Sequence, residues 1–278
     1  MHLSDFIRNF VARNVNMKYS IITINYNNQF GLRRTIESVV RQTCDDYEFI
    51  IIDGGSTDGS AELIKEYVEK VDYWVSEKDK GIYHAMNKGV IQANGDYCIF
   101  MNSGDCFYDD AVLSTVASDL KEDIIVGKAV IKQGNGVISP PPAGEFTFYH
   151  LYSGSIPHQA SFIRTELLRK YPYDEKLKIS SDWKFFVQTL IIDNCSIRYL
   201  DVFVVRYDIE GISSCNPQLM RHEKESIMSA TFPPRVLADY HQMKTSECLT
   251  QTLTPQLRQH YTIDKIIYRI GKCLLKIV

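Results

Sequence analysis

Gly95-Asp96-Tyr97-Cys98-Ile99-Phe100-Met101-Asn102-Ser103-Gly104-Asp105 is the stretch on which the fold turns. It opens on a turn signal, Asn94-Gly95-Asp96, runs through the apolar residues Tyr97 to Met101, and closes in a corner of small residues that carries Asp105. An apolar run of that length between turn residues predicts a buried strand. Polar groups just past the carboxyl end of such a strand stand where an open α/β sheet holds its ligand. A carboxylate beside Gly104 can approach a hard metal ion closely. The same residues also suit a β-turn whose Asp bonds its own backbone.

The residues on the amino side decide between these. Tyr19-Ser20-Ile21-Ile22-Thr23-Ile24 is a β-branched run and predicts a first strand, ended by Asn25-Tyr26-Asn27-Asn28. Leu32, Ile36, Val39 and Val40 recur at helical spacing, which places a helix over 31–42. A second strand over 47–52 runs into Asp53-Gly54-Gly55-Ser56-Thr57-Asp58, with Thr57 or Asp58 capping a helix over 61–68. A short strand over 73–76 precedes Asp79, and a helix over 82–94 has Gly95 at its C-cap. Strand and helix thus alternate up to Asp105, the pattern of a wound, mostly parallel sheet. Neither glycine cluster spells a dinucleotide or P-loop fingerprint.

Beyond Asp105 the pattern loosens. A helix is expected over 111–120, strands over 123–127 and 128–132, a break at Pro140-Pro141-Pro142, and a loop over 156–160 leading into a strand. A helical turn over 166–170, a helix over 182–192 and strands over 196–200 and 202–207 follow. The remainder is charged and helical, with Pro233-Pro234 and Pro255 as breaks.

Composition bounds the function. The chain has 278 residues, 45% hydrophobic and 23% charged, which is the balance of a globular protein. A net charge of -3 gives no support for a nucleic-acid partner. Seven cysteines without a C-x-x-C pair argue against a disulfide framework or structural zinc, and fit a reducing cytosol. No apolar run approaches the roughly 20 residues that span a bilayer, so a cytoplasmic protein is expected.

Asn25, Asp53, Asp79 and Asp105 now stand at successive strand ends, and in a parallel sheet such groups converge. Carboxylates crowded into one cleft are costly unless a cation or hydrogen-bond donors join them. One such polar residue alone is explained as a cap or turn; four in series point to a site.

The sequences 52–59 (Ile-Asp-Gly-Gly-Ser-Thr-Asp-Gly), 77–89 (with Gly81-Ile82-Tyr83 and Ala85-Met86-Asn87-Lys88-Gly89) and 94–105 together resemble family 2 glycosyltransferases of the GT-A fold, over about residues 18 to 210. The resemblance implies an α/β fold with a mostly parallel central sheet flanked by helices. It divides the chain into a leader (1–17), a catalytic domain (18–210) and a helical C-terminal extension (211–278). It implies an inverting, metal-dependent transfer from a nucleotide-sugar donor, usually a UDP-sugar, to a hydroxyl of a glycan or lipid-linked acceptor, in bacterial surface-polysaccharide synthesis. Asp53 would accept from the base, Thr23, Asn25 and Tyr26 would line the base pocket, and Asp79 would lie near the nucleoside. Asp105, with Asn102 beside it, would hold Mn²⁺ or Mg²⁺ on the diphosphate. Asp182, in Ser180-Ser181-Asp182-Trp183, stands where the family has its general base, although its position also suits an N-cap.

Two residues depart from the pattern. Asn102 stands where many members have an Asp, and His84 where relatives of this kind often have one. These departures motivate a second reading, a nucleotide-sugar binding protein without catalysis. A nucleotidyltransferase, a third reading, is disfavoured because Asn25-Tyr26-Asn27 is no glycine-rich phosphate loop. His158 is a candidate donor or ligand near the diphosphate, and otherwise a packing residue. Trp183 is a candidate platform for an acceptor sugar. Over 263–278, Ile263, Ile266, Ile270 and Leu274 interleave with Lys265, Arg269, Lys272 and Lys276. That is a basic amphipathic helix, able to lie on an anionic membrane or to dock on the domain.

Overall fold

The computed structural model describes residues 18–131, 136–138, 146–207 and 216–259, with side chains as far as 246. The expected leader, the Pro140 break and the basic helix over 263–278 lie outside the described residues. The chain forms two compact units, Met1–Lys224 and Glu225–Val278.

The first unit begins with β1 (Tyr19–Asn25), α1 (Gln29–Val40), β2 (Tyr47–Asp53), α2 (Ser60–Glu66), β3 (Tyr73–Ser76), α3 (Ile82–Gln92) and β4 (Tyr97–Phe100). All seven residues of β1 are buried, as expected of a central parallel strand covered on both faces. Leu32, Ile36 and Val39 of α1 pack with Ile21, Phe49, Ile51 and Ile99 in one core. The Asn28 side chain starts α1 by accepting from the Gly31 N–H at 3.0 Å.

Next come β5 (Cys106–Phe107), α4 (Val112–Val116), β6 (Ile124–Ile131), β7 (Val137–Ile138), α5 (Phe148–Ser153), β8 (Ser161–Arg164), α6 (Thr165–Lys170), α7 (Ser181–Phe186), β9 (Ile197–Tyr207), α8 (Pro217–Thr231) and α9 (Pro234–Gln259). One sheet runs in the order β3-β2-β1-β4-β8-β6-β9-β5, with β7 beside β6. It is parallel from β3 to β4. Past β4 it is mixed, because β8 runs antiparallel to β4 and to β6.

Several elements differ from the sequence reading for identifiable reasons. Residues 124–131 form one strand, not two, with register irregularities around Lys128. A Cβ at Gly127 would come within 2.4 Å of Val204, so this glycine marks a close approach inside the strand. Residues 197–207 are likewise one strand. Gly95 is not the cap of α3, which ends at Gln92 with Ala93 as its C-cap. Its missing side chain lets it lie against the Tyr19 backbone, where a Cβ would stand at 2.5 Å. Asp58 does not cap α2 from the N-cap position, which is Gly59; it accepts from the Ser60 N–H and hydroxyl. Helix α9 starts at Pro234, a favoured first position, and continues through Pro255, forgoing one backbone bond there.

Candidate active site

A cleft of about 850 Å³ opens at the carboxyl ends of the parallel strands. Asn25 and Tyr26 reach it at and just past the end of β1, Gly54 just past β2, and Asp79 from the loop after β3. Tyr83 of α3, Asn102 to Asp105 after β4, and His158, Lys178 and Asp182 from the second half of the unit complete it. Asp79, Asp105 and Asp182 therefore share one hollow.

Asp53 stands behind the wall. It is fully buried and absent from the cleft lining. Its carboxylate accepts from Asn25 Nδ2 at 2.7 Å, Ser56 Oγ at 2.5 Å, Ser56 N at 2.9 Å and Ser76 Oγ at 2.6 Å. Burial alone would raise its pKa, but these bonds outweigh it and hold the carboxyl below the usual carboxylate range. All four of these bonds are made within the protein. A ligand N–H would have to displace one of four satisfied donors, and what Asp53 visibly does is brace β1, β2 and β3. Thr23 is also buried, bonded to the Met101 carbonyl at 2.7 Å, and does not line the cleft. Both residues lie in strands covered on two faces, where strand alternation alone does not say what is accessible.

Asp79 is oriented by its neighbours. Its Oδ1 accepts from Lys88 Nζ at 2.9 Å and pairs with His84 Nδ1 at 3.1 Å. His84, the residue that departs from the family pattern, therefore supports Asp79. A Cβ at Gly54 would lie 3.2 Å from both Asp79 Oδ2 and the Tyr26 ring. The glycine keeps open a gap between a carboxylate and an aromatic ring that is itself 68% exposed.

Asp105 is buried in a turn made possible by Gly104 at φ 106°. The turn is pinned by Thr35, which donates to the Asp105 carbonyl at 2.7 Å and accepts from the Gly104 N–H at 3.0 Å. Beside it, Asn102 Oδ1 is buried without a hydrogen-bond partner. A carboxylate and an orphaned amide oxygen are the donor types that a hard cation takes. No group of three or more His, Cys, Asp or Glu residues suited to a metal occurs among the described residues. A cation here would complete its shell from substrate oxygens and water.

Asp182 is half-buried and second in α7; Ser180, not Asp182, is the N-cap. Tyr83 donates its hydroxyl to Asp182 Oδ1 at 3.0 Å. Burial, and then the Asp182 charge, push the Tyr83 pKa up, so it remains a phenol that donates.

His158 and Trp183 are both enclosed. His158 lies in the cleft lining but is buried, stacked on Phe100 at 4.9 Å and bonded through Nε2 to Tyr173 Oη at 2.8 Å. Burial lowers its pKa and favours the neutral imidazole. Trp183 is 2% exposed and donates to the Leu151 carbonyl at 3.0 Å, leaving no face for a sugar. Sequence reasoning missed Tyr83, although it lay inside a quoted motif, and missed Lys178 and the space over Gly54, for which no local pattern speaks.

Comparison with known proteins points to one family. A family model, "Glycosyl transferase family 2", matches residues 20–176. An uncharacterized glycosyltransferase of Mycobacterium tuberculosis is 31% identical over 210 residues, covering 70% of this chain and 76% of that protein. A PGL/p-HBAD biosynthesis glycosyltransferase of Mycobacterium bovis is 29% identical over 202 residues, covering 69% and 77%. Among solved structures, S. aureus TarS superposes with TM-score 0.63 at 22% identity, covering 76% of this chain, which spans only 39% of TarS. A shorter TarS bound to UDP-GlcNAc gives 0.64 at 22% identity, over 76% of this chain and 65% of that one. The mannosyltransferase PcManGT of Pyrobaculum calidifontis, with GDP-Man and Mn²⁺, gives 0.59 at 14% identity, over 95% and 82%. At these identities the structural likenesses speak for the GT-A type of fold.

Proposed function

The chain belongs to glycosyl transferase family 2, and on that premise we propose that it moves a sugar, with inversion, from a UDP-linked donor to a hydroxyl of a glycan or lipid-linked acceptor. The observation that carries this reading is the gathering of Asp79, Asp105 and Asp182 around one cleft. The UDP-GlcNAc complex of a structural neighbour supports the choice of donor class.

Tyr26 and Asp79 receive the nucleoside in the gap over Gly54, with Asn25 on the same wall. Asp105 and Asn102 would hold Mn²⁺ or Mg²⁺, which when bound neutralises the charge that develops on the departing diphosphate. Asp182 takes the proton of the acceptor hydroxyl as that oxygen attacks the anomeric carbon from the face opposite the leaving group. Tyr83 holds the Asp182 carboxylate in place through its hydroxyl. Asp53 and Thr23 act behind the wall, keeping strand ends in register. We place the reaction in bacterial surface-polysaccharide assembly at the cytoplasmic face. Among the described residues no helix is long and apolar enough to cross a membrane, and the basic residues over 263–278 would supply a peripheral attachment.

The test is turnover of UDP-sugars with Mn²⁺, for wild type and Asp182→Asn. Transfer is expected to fall by about 10²- to 10⁴-fold in the variant, with donor affinity retained. Wild type that binds a donor yet never turns over with any acceptor, or a variant as active as wild type, would refute the assignment.

A further inference from the structure

The carboxylate of Glu223 is buried, and both its oxygens are used by one distant segment. Oε1 accepts from the Lys178 N–H at 2.7 Å; Oε2 accepts from the Ile179 N–H at 3.1 Å and the Ser180 N–H at 2.9 Å. These are the three residues that lead into α7, two of them line the cleft, and Asp182 follows within the helix. Ser180 caps α7 without a side-chain bond of its own. Backbone N–H groups at such an entry need partners, and here one carboxylate from α8 supplies three bonds.

The next residue grips the other side. Lys224 donates to the Gly154 carbonyl at 3.1 Å and sits 5.0 Å over the ring of Trp183, the neighbour of Asp182. Glu223 and Lys224 both belong to the unit that holds the cleft.

We propose that Glu223 is a positioning residue for sugar transfer. The middle of α8, which the sequence assigns to a C-terminal extension, clamps residues 178–180 and so sets Lys178 and Asp182 in the cleft. The proposal rests on the reading of Asp182 as the base. Tyr83 holds the Asp182 carboxylate from the donor side of the cleft, and Glu223 holds the backbone that carries it. Neither a glutamine nor an alanine can replace this clamp in full. A carboxamide has one acceptor oxygen and would turn an N–H toward the remaining donors. Displacing a reacting group by about 1 Å costs on the order of 100-fold in rate.

The experiment compares full-length wild type, Glu223→Ala, Glu223→Gln, Asp182→Asn and the Glu223→Ala/Asp182→Asn double variant. For each, kcat for transfer, KM for the UDP-sugar and the thermal midpoint are measured. Glu223→Ala is expected to lose about 100-fold in kcat and Glu223→Gln about tenfold, with donor KM within about twofold of wild type. In the Asp182→Asn background the alanine substitution should add little, because both changes remove one function. Two outcomes overturn the proposal: wild-type kcat in both Glu223 variants, or a loss of donor affinity that matches the loss of rate. If Glu223→Ala does not fold, Glu223→Gln decides by the same split. An active Asp182→Asn enzyme refutes the base assignment itself, whereas an inactive one with normal Glu223 variants refutes only the clamp.

Discussion

Replacing Asp53 by Ala takes away the acceptor of four donors at a fully buried position. They are Asn25 Nδ2, Ser56 Oγ, Ser56 N and Ser76 Oγ, now 2.5–2.9 Å from the carboxylate. The two hydroxyls can rotate toward other acceptors; the Ser56 N–H and the Asn25 amide have less freedom. Each stranded buried donor costs about 1–3 kcal/mol, so the substitution is expected to destabilise the unit by about 3–4 kcal/mol. At a guanidinium slope of about 5 kcal/mol per M, the unfolding midpoint falls by roughly 0.7 M. Both tryptophans, Trp74 and Trp183, lie in the unit that contains Asp53, so their fluorescence reports its unfolding. The effect has a defined pH dependence. The folded pKa of Asp53 is depressed, so its contribution is present above the unfolded carboxyl value, about 3.9, and is lost as pH falls through the folded one. The difference between wild type and variant should be flat from pH 7 to 5 and shrink below about pH 4. A variant within about 1 kcal/mol of wild type that has lost UDP affinity would refute this reasoning and favour Asp53 as a direct contact to the base.

Three further outcomes follow from the geometry. Tyr83→Phe removes the hydroxyl that donates to Asp182; kcat should fall about tenfold in steady-state assays at unchanged donor KM. Gly54→Ala puts a methyl group 3.2 Å from Asp79 Oδ2 and the Tyr26 ring; calorimetry should show UDP binding weakened by about tenfold with little change in thermal midpoint. Asn102→Asp adds a charge beside Asp105, and titration with Mn²⁺ should show tighter binding by about tenfold.

The amino half of the unit was legible from local pattern. β1 to β4 and the helices between them follow from apolar period and turn residues, because burial of one face or run is a property of neighbouring residues. The carboxyl half was less so. Two strands were expected to meet at Gly127 and Lys128, and Gly127 proved to be a close approach to Val204 inside one strand. Whether a glycine ends an element or lets another pass depends on what lies across from it.

The candidate site divided along the same line. The sequence by itself determined the fold class and the residue types at the strand ends, because strand order in a wound sheet carries those ends to one edge. Only the tertiary structure decided which of them face the cleft: Asp79, Asp105 and Asp182 do, while Asp53 and Thr23 are consumed in holding strands together. It also decided that a glutamate 43 residues beyond Ser180 secures the loop before Asp182. A hydrogen bond across that distance in the chain depends on how the helix packs, and no periodicity within either segment records it.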